Sequence, residues 1–138
     1  MATTYAKEYG YAIAKTLKPA NELNAKVRRF KATIDLAAQA SGDIIKLFKV
    51  PAGYSFLTGI LNASASLSTS TIKIGTADDD DKYRASAVHT ATAPTLFGDQ
   101  AGFVAGGNTA DEEVILTVGT AALPASGTLI VDMLFSAC

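Results

Sequence analysis

Hydrophobic and polar side chains alternate along the segment that follows Asn24. In residues 29–36 (RFKATIDL) every second residue is apolar, and the residues between them are charged or polar. Successive side chains of a β-strand point to opposite faces, so a period of two is the pattern of a strand with one buried face. The segment therefore predicts a strand whose buried face carries Phe30, Ala32, Ile34 and Leu36.

Shorter apolar runs, separated by turn residues, continue to the end of the chain. Residues 51–53 (PAG) and 123–127 (LPASG) are typical of turns, because proline fixes φ and glycine permits a positive φ. The segments between such turns predict further strands, at 43–50, 54–61, 71–76, 83–90, 113–118 and 128–135. Residues 62–70, the segment around Pro94 and the glycine-rich residues 98–108 are expected to form surface loops.

Seven or eight short strands, without a long helical pattern, indicate the fold class. We predict an all-β domain, an antiparallel β-sandwich of jelly-roll or Greek-key type. The third strand has apolar residues at both odd and even positions, which suits the middle of a packed sandwich or a subunit contact. A strict period of two places on one face Tyr54, Phe56 and Ile60, and on the other face Leu57 and Leu61.

Residues 1–25 differ in character from the rest of the chain. They carry Tyr5, Tyr9 and Tyr11 among lysine, alanine, glycine and asparagine. A spacing of four residues from Tyr5 through Tyr9 to Ile13 would align these side chains on a short helix, but Gly10 and Pro19 oppose a continuous one. Two alternatives follow: an N-terminal arm that becomes ordered only against a neighbour, or a helix packed on its own domain. The β-sandwich is expected to occupy residues 26–138.

The composition is that of one folded domain. The chain has 138 residues, of which 49% are hydrophobic and 18% are charged, so a disordered chain is excluded and some apolar surface is expected to meet other subunits. No segment of the sequence has the roughly 20 apolar residues that span a bilayer, and we expect neither a membrane partner nor a cleaved leader. The single cysteine, Cys138, has no intrachain partner.

Charge is divided unevenly between the two parts of the chain. Residues 1–50 hold nine Lys and Arg against four acids, a net +5, whereas residues 51–138 hold three bases against nine acids, a net −6. A basic front and an acidic back suit contacts between copies or docking on a charged protein lattice. Aromatic and basic residues are not interleaved as they are on a nucleic-acid platform, so no nucleic acid is expected.

Residue types that carry catalysis or bind metals are few. His89 is the only histidine, and no serine lies in a nucleophile elbow, so we expect no enzyme and no cofactor. Four consecutive carboxylates form a weak candidate for a cation site, at Asp78, Asp79, Asp80 and Asp81. Calcium loops alternate ligands with spacers, whereas adjacent aspartates fan outward. The alternatives for this run are a protein contact and an ordinary exposed loop.

Short strand and turn motifs lie along residues 33–137. They are IDLA (34–37), GD (42–43), PAG (51–53), IGTA (74–77), KYRA (82–85), PTLFG (94–98), EEV (112–114) and ALPASGTL (122–129). With these motifs the region resembles a family of small virion proteins of tailed bacteriophages and prophages, described as head decoration or structural proteins. The resemblance implies a β-sandwich displayed in many copies on the particle, as trimers at local symmetry axes. It supplies no site residues, because none of the motifs is catalytic.

We therefore predict a structural virion protein that decorates and reinforces a phage capsid by binding the major capsid protein lattice. Such a cement protein would be made in the host cytoplasm and would act as a homo-oligomer, a trimer, on the capsid surface. The residues expected to contact the capsid or a neighbouring subunit are Tyr5, Tyr9, Tyr11, Lys15, Lys18, Arg28 and Arg29. One alternative is another particle component, such as a tail, head-fibre or receptor-binding module. A β-sandwich hydrolase or lectin is disfavoured, because the chain has no tryptophan.

Overall fold

The protein is described by a computed structural model over residues 26–104 and 107–137. Residues 1–25, for which an arm was predicted, lie outside this range, as does Cys138. The described elements are β1 (Val27–Asp35), β2 (Ile44–Val50), β3 (Tyr54–Ala63), β4 (Thr71–Gly75), β5 (Arg84–Val88), β6 (Thr95–Phe97), α1 (Gln100–Val104), β7 (Glu112–Gly119) and β8 (Thr128–Ala137). Within these residues, no helix has the length and apolar character needed to cross a membrane.

The eight strands form two antiparallel sheets of four. Sheet A has the order β1-β8-β3-β6, and sheet B has the order β2-β7-β4-β5. The first strand pairs with the last, the second with the seventh, the third with the sixth, and the fourth with the fifth. This nested pairing is the jelly roll, an eight-stranded double sheet, and it confirms the predicted fold class.

The core lies between the inner faces of the two sheets. Its fully buried side chains include Leu129, Val131 and Met133 from sheet A, and Ile72 and Leu116 from sheet B. On β1 the predicted alternation is confirmed, because Ala32, Ile34 and Leu36 are buried and Phe30 packs against them at the edge of the core. Burial of this apolar surface is the main stabilising contribution to such a domain.

A β-bulge changes the faces of β3. Its pairing with β8 shifts between Phe56 and Thr58, so Leu57 has no partner in the ladder. One extra residue reverses the alternation of everything that follows it. Phe56 and Leu61 consequently both face the core, while Ile60 points outward. The prediction that Phe56 and Ile60 share a face was therefore wrong.

Two elements lie where only loops were expected. Residues 95–97 form β6, the edge strand of sheet A, and residues 100–104 form α1. The helix packs closely on Tyr83: a Cβ atom on Gly102 would come within 2.7 Å of the Tyr83 ring. Beyond it, the Asn108 side chain donates hydrogen bonds to the carbonyls of Pro51 and Ala110. Within the surface loop predicted for 98–108, residues 100–104 are therefore helical instead.

Candidate interaction surface

The outer face of sheet A carries a row of side chains that crosses all four strands. Asp132 of β8 lies opposite Lys31 of β1 on one side and opposite Ile60 of β3 on the other. Ile60 in turn lies opposite Leu96 of β6. Because strand side chains alternate, the residues on either side of Asp132, Val131 and Met133, point inward and fill the core. The outward row contains Ile60 and Leu96, so the outer face of this sheet is partly apolar.

A groove of about 250 Å³ follows this row. Its lining consists of Arg29, Lys31, Ile60, Asn62, Pro94, Ile130 and Asp132. Beside it, the side chain of Leu96 is 72% exposed, the largest exposed fraction among the exposed large hydrophobic residues of the described chain. Exposed apolar side chains beside charged ones are typical of a protein contact surface. We call this feature the sheet A groove.

An ion pair forms one wall of the sheet A groove. Arg29 Nε donates a hydrogen bond to Asp132 Oδ2 at 2.7 Å, and the Asp132 side chain is only 14% exposed. The hydrogen bond to Asp132 and the charge of that carboxylate raise the pKa of Arg29, so the guanidinium stays protonated. The second carboxylate oxygen, Oδ1, is buried and has no hydrogen-bond partner within the described residues. A buried acceptor without a donor costs free energy until a donor reaches it.

The acidic run forms a loop that folds back over sheet B. The Lys73 ammonium lies 2.7 Å from the Asp80 carboxylate, and the Asp79 carbonyl accepts the backbone N–H groups of Thr76 and Lys82. A hydrogen bond with Asp79, more than the nearby charges, raises the pKa of Asp81. In the described parts of the chain, no three His, Cys, Asp or Glu side chains are arranged to hold a metal ion. The cation site at Asp78–Asp81 thus gains no support from this geometry.

Two further polar clusters are structural in character. Tyr83 and Lys82 both donate hydrogen bonds to the Glu112 carboxylate, at 2.6 and 2.8 Å. His89 is 4% exposed, and burial together with the charge of Arg84 lowers its pKa. Its carbonyl accepts the N–H of Leu67, which links the end of β5 to the loop after β3. His89 is thus packed inside the domain.

The predicted contact residues are only partly placed. Arg28 and Arg29 are exposed on β1, but successive strand residues point to opposite faces, so Arg29 alone lines the sheet A groove. The other five, Tyr5, Tyr9, Tyr11, Lys15 and Lys18, lie outside the described residues. Sequence reasoning placed Ile60 in a strand with two apolar faces, which suits a sandwich interior or a subunit contact, but it did not single out Ile130, Leu96 or Asp132. Outward apolar residues on β8 would have been a further signal.

Comparisons with known proteins bear on the fold. No protein family model matches this chain, and no curated protein matches its sequence. A chain in the capsid asymmetric unit of cyanophage Pam1 is similar in structure, with a TM-score of 0.71 and 16% identity over 100% of both chains. A chain in the capsid of Ralstonia phage GP4 has a TM-score of 0.69 and 19% identity, over 82% of this chain and 85% of that one. A chain in the acid-stable capsid of Helicobacter pylori bacteriophage KHP30 has a TM-score of 0.59 and 13% identity, over 80% and 86%. The jelly roll of this chain is thus a fold found in bacteriophage capsids.

Proposed function

We propose that this chain is a structural protein of a bacteriophage virion, which decorates and reinforces the capsid by binding the major capsid protein lattice. The observation that carries the proposal is the extent of the structural similarity. The match to the cyanophage Pam1 capsid chain covers both chains completely, so the likeness extends to the whole architecture and not to a shared strand pair. Chains of two other phage capsids share the fold over at least 80% of this chain.

The surface supplies a second line of support. Large hydrophobic side chains are exposed on both sheets and on α1: Val27, Ile44, Val88, Leu96, Phe103 and Val104. A protein that acts in many copies covers such residues against its neighbours. Each copy then needs only a modest contact area, because symmetric repetition multiplies weak contacts into strong attachment. In this proposal the copies form trimers at the capsid surface.

Basic residues near the start of the chain supply the proposed capsid contact. Residues 1–50 have a net charge of +5, and Arg28 is exposed at the beginning of β1. A cationic surface attracts an acidic partner over about a Debye length and so speeds its correct docking. Residues 1–25 with Arg28 and Arg29 are therefore proposed to contact capsid or neighbouring subunits.

A rebinding experiment tests the proposal. Capsids stripped of this protein are mixed with the purified full chain, and cosedimentation measures the bound copies per capsid. We expect saturable binding, which weakens at least tenfold with Arg28→Glu and little with Lys49→Glu, an exposed lysine on sheet B that serves as the control. If the folded protein does not bind capsids but binds host cells or glycans, the proposal would be overturned in favour of a receptor-binding module.

A further inference from the structure

We propose that the sheet A groove is the docking site for residues 1–25 of a second copy of this chain. The groove offers an apolar floor and a cation. Residues 1–25 contain the side chains that match both. The inference rests on the subunit-contact role proposed for residues 1–25, and it is independent of capsid binding.

Tyrosine fits both the apolar and the polar parts of the groove. Ile60 and Ile130 point into it from neighbouring strands, and Leu96 extends the same apolar surface at its rim. A tyrosine joins an aromatic ring, which buries about 150–250 Å², to a hydroxyl that donates a hydrogen bond. Such a ring can pack on the isoleucines while its hydroxyl stays among the polar residues of the lining, Arg29, Asn62 and Asp132.

Charge supports the same occupant. Arg29 is engaged by Asp132, whereas Lys31, which lies opposite Asp132 on β1, makes no ion pair with any residue that the structure describes. The acidic residue closest to the three tyrosines is Glu8, beside Tyr9. A segment that presents tyrosines with a carboxylate between them can therefore pack on the isoleucines and also pair with Lys31.

The direction of β1 favours a second copy over the same copy. The start of β1, the end of β8 and the start of β3 lie together at one end of the sandwich, since Val27 pairs with Ser136 and Tyr54 pairs with Ala137. β1 starts at that end and runs along the groove, so residues 1–25 would have to turn back over β1 to fill the groove of their own copy. Twenty-five extended residues reach about 80 Å, enough to cross to a neighbour.

Photo-crosslinking in the full chain tests the inference without any capsid present. A photo-crosslinking amino acid replaces Leu96 at the groove, and the same amino acid replaces Ile44, 60% exposed on sheet B, as the matched control. Each protein is mixed with an isotopically labelled wild-type copy, irradiated, digested and mapped by mass spectrometry. We expect crosslinks from position 96 to residues 1–25 of the oppositely labelled copy, at least tenfold more than from position 44.

Other crosslink patterns would overturn the inference. Crosslinks from position 96 to residues 1–25 of the same copy alone exclude the second copy as occupant. Crosslinks to other segments, or equal yields from positions 96 and 44, exclude the groove as the docking site. Since this assay contains only the protein itself, a failure here is distinguishable from a failure of capsid rebinding.

Two perturbations add independent readouts. Ile130→Lys places a charge in the groove and should lower the crosslink yield at least tenfold, whereas Ile44→Lys should leave it unchanged. A synthetic peptide of residues 1–25 should compete with the crosslink in the unaltered groove, and a peptide with its three tyrosines changed to serine should compete at least tenfold more weakly. Equal competition by the two peptides would contradict the tyrosine contact, even if Ile130→Lys failed to fold.

Discussion

The Tyr83 hydroxyl donates a hydrogen bond to Glu112 Oε1 at 2.6 Å, which joins the residue before β5 to the first residue of β7. The Tyr83 ring is 2% exposed and packs against Phe56, with ring centroids 4.8 Å apart. Lys82 binds the other oxygen of the same carboxylate. Burial and the neighbouring carboxylate raise the pKa of Tyr83, so the phenol remains a donor. This contact fixes the start of an edge strand that is otherwise largely exposed.

Removal of that hydroxyl should destabilise the domain. We expect Tyr83→Phe to lower the free energy of unfolding by about 2 kcal/mol, because the lost hydrogen bond is made to a charged group. Tyr54→Phe is the matched control, since the Tyr54 ring packs on the core but its hydroxyl makes no hydrogen bond within the described residues. Urea denaturation of both variants measures the difference. Equal losses in the two variants would rule out the proposed role of the Tyr83–Glu112 contact.

A second prediction concerns the close approach of Phe97 to Gly59. A Cβ atom at Gly59 would overlap the Phe97 ring, whereas one at Gly98 would make an ordinary contact with Phe56 at 3.5 Å. We expect Gly59→Ala to cost about 1–3 kcal/mol of stability through overpacking, and Gly98→Ala to cost far less. A double-mutant cycle with Phe97→Ala checks the cause, because Gly59→Ala should cost less once the ring is gone. Additive effects would show that Phe97 is not the obstacle.

Several elements could be predicted because their periodicity is unbroken. From Phe30 to Asp35 in β1 and from Thr71 to Ile74 in β4, the apolar residues face the core and the polar residues between them face outward, so Ile34 and Ile72 were assignable from sequence alone. The turns at Pro51–Gly53 and before Thr128 were also recognisable, and the structure gives Gly53 and Gly127 the positive φ that favours glycine. These features depend on residues that are adjacent in the chain, so a single sequence is enough to predict them.

Other features depend on pairing that the sequence does not display. The bulge at Leu57 carries no sequence signal of its own, yet it determines that Ile60 faces outward. β6 has only three residues after Pro94, too few to show a period of two. The sheet A groove combines Arg29, Ile60 and Ile130 from three strands that are distant in sequence, so it exists only once the register is known. The sheet A groove was therefore less predictable than the fold.

A third prediction concerns Asn108, whose side chain holds the turn between β2 and β3 through hydrogen bonds. Asn108 Oδ1 accepts the Tyr54 N–H at 2.7 Å, while its Nδ2 donates to the carbonyls of Pro51 and Ala110, each at 3.0 Å. We expect Asn108→Ala to cost about 2 kcal/mol of stability, because three partners lose a hydrogen bond. Asn108→Asp should also destabilise, since a carboxylate would face two carbonyls. Thermal unfolding measures both, with Gln39→Ala as a control, since the side-chain hydrogen bonds of this half-buried residue are local.

A fourth prediction concerns the pH dependence of stability, which should depend on His89. Burial, and secondarily the charge of Arg84, lowers the pKa of His89 from its ordinary value of 6.5. The unfolded chain then binds a proton at a pH where the folded chain does not, so acidification favours unfolding. This contribution to stability is complete above about pH 6.5 and declines as the pH falls below it.

Urea denaturation between pH 5.5 and 7.5 tests this expectation, because His89 is the only histidine and the carboxylates titrate mostly at lower pH. The free energy of unfolding should decrease towards pH 5.5 in the natural chain. In His89→Gln, which does not titrate, the slope should largely disappear, whatever the absolute stability of the variant. A slope that persists in His89→Gln, or a stability that rises on acidification, would mean that His89 is not held neutral by its burial. Arg84→Gln separates the two causes: without the guanidinium charge the slope should be smaller, since only burial would then keep the imidazole neutral.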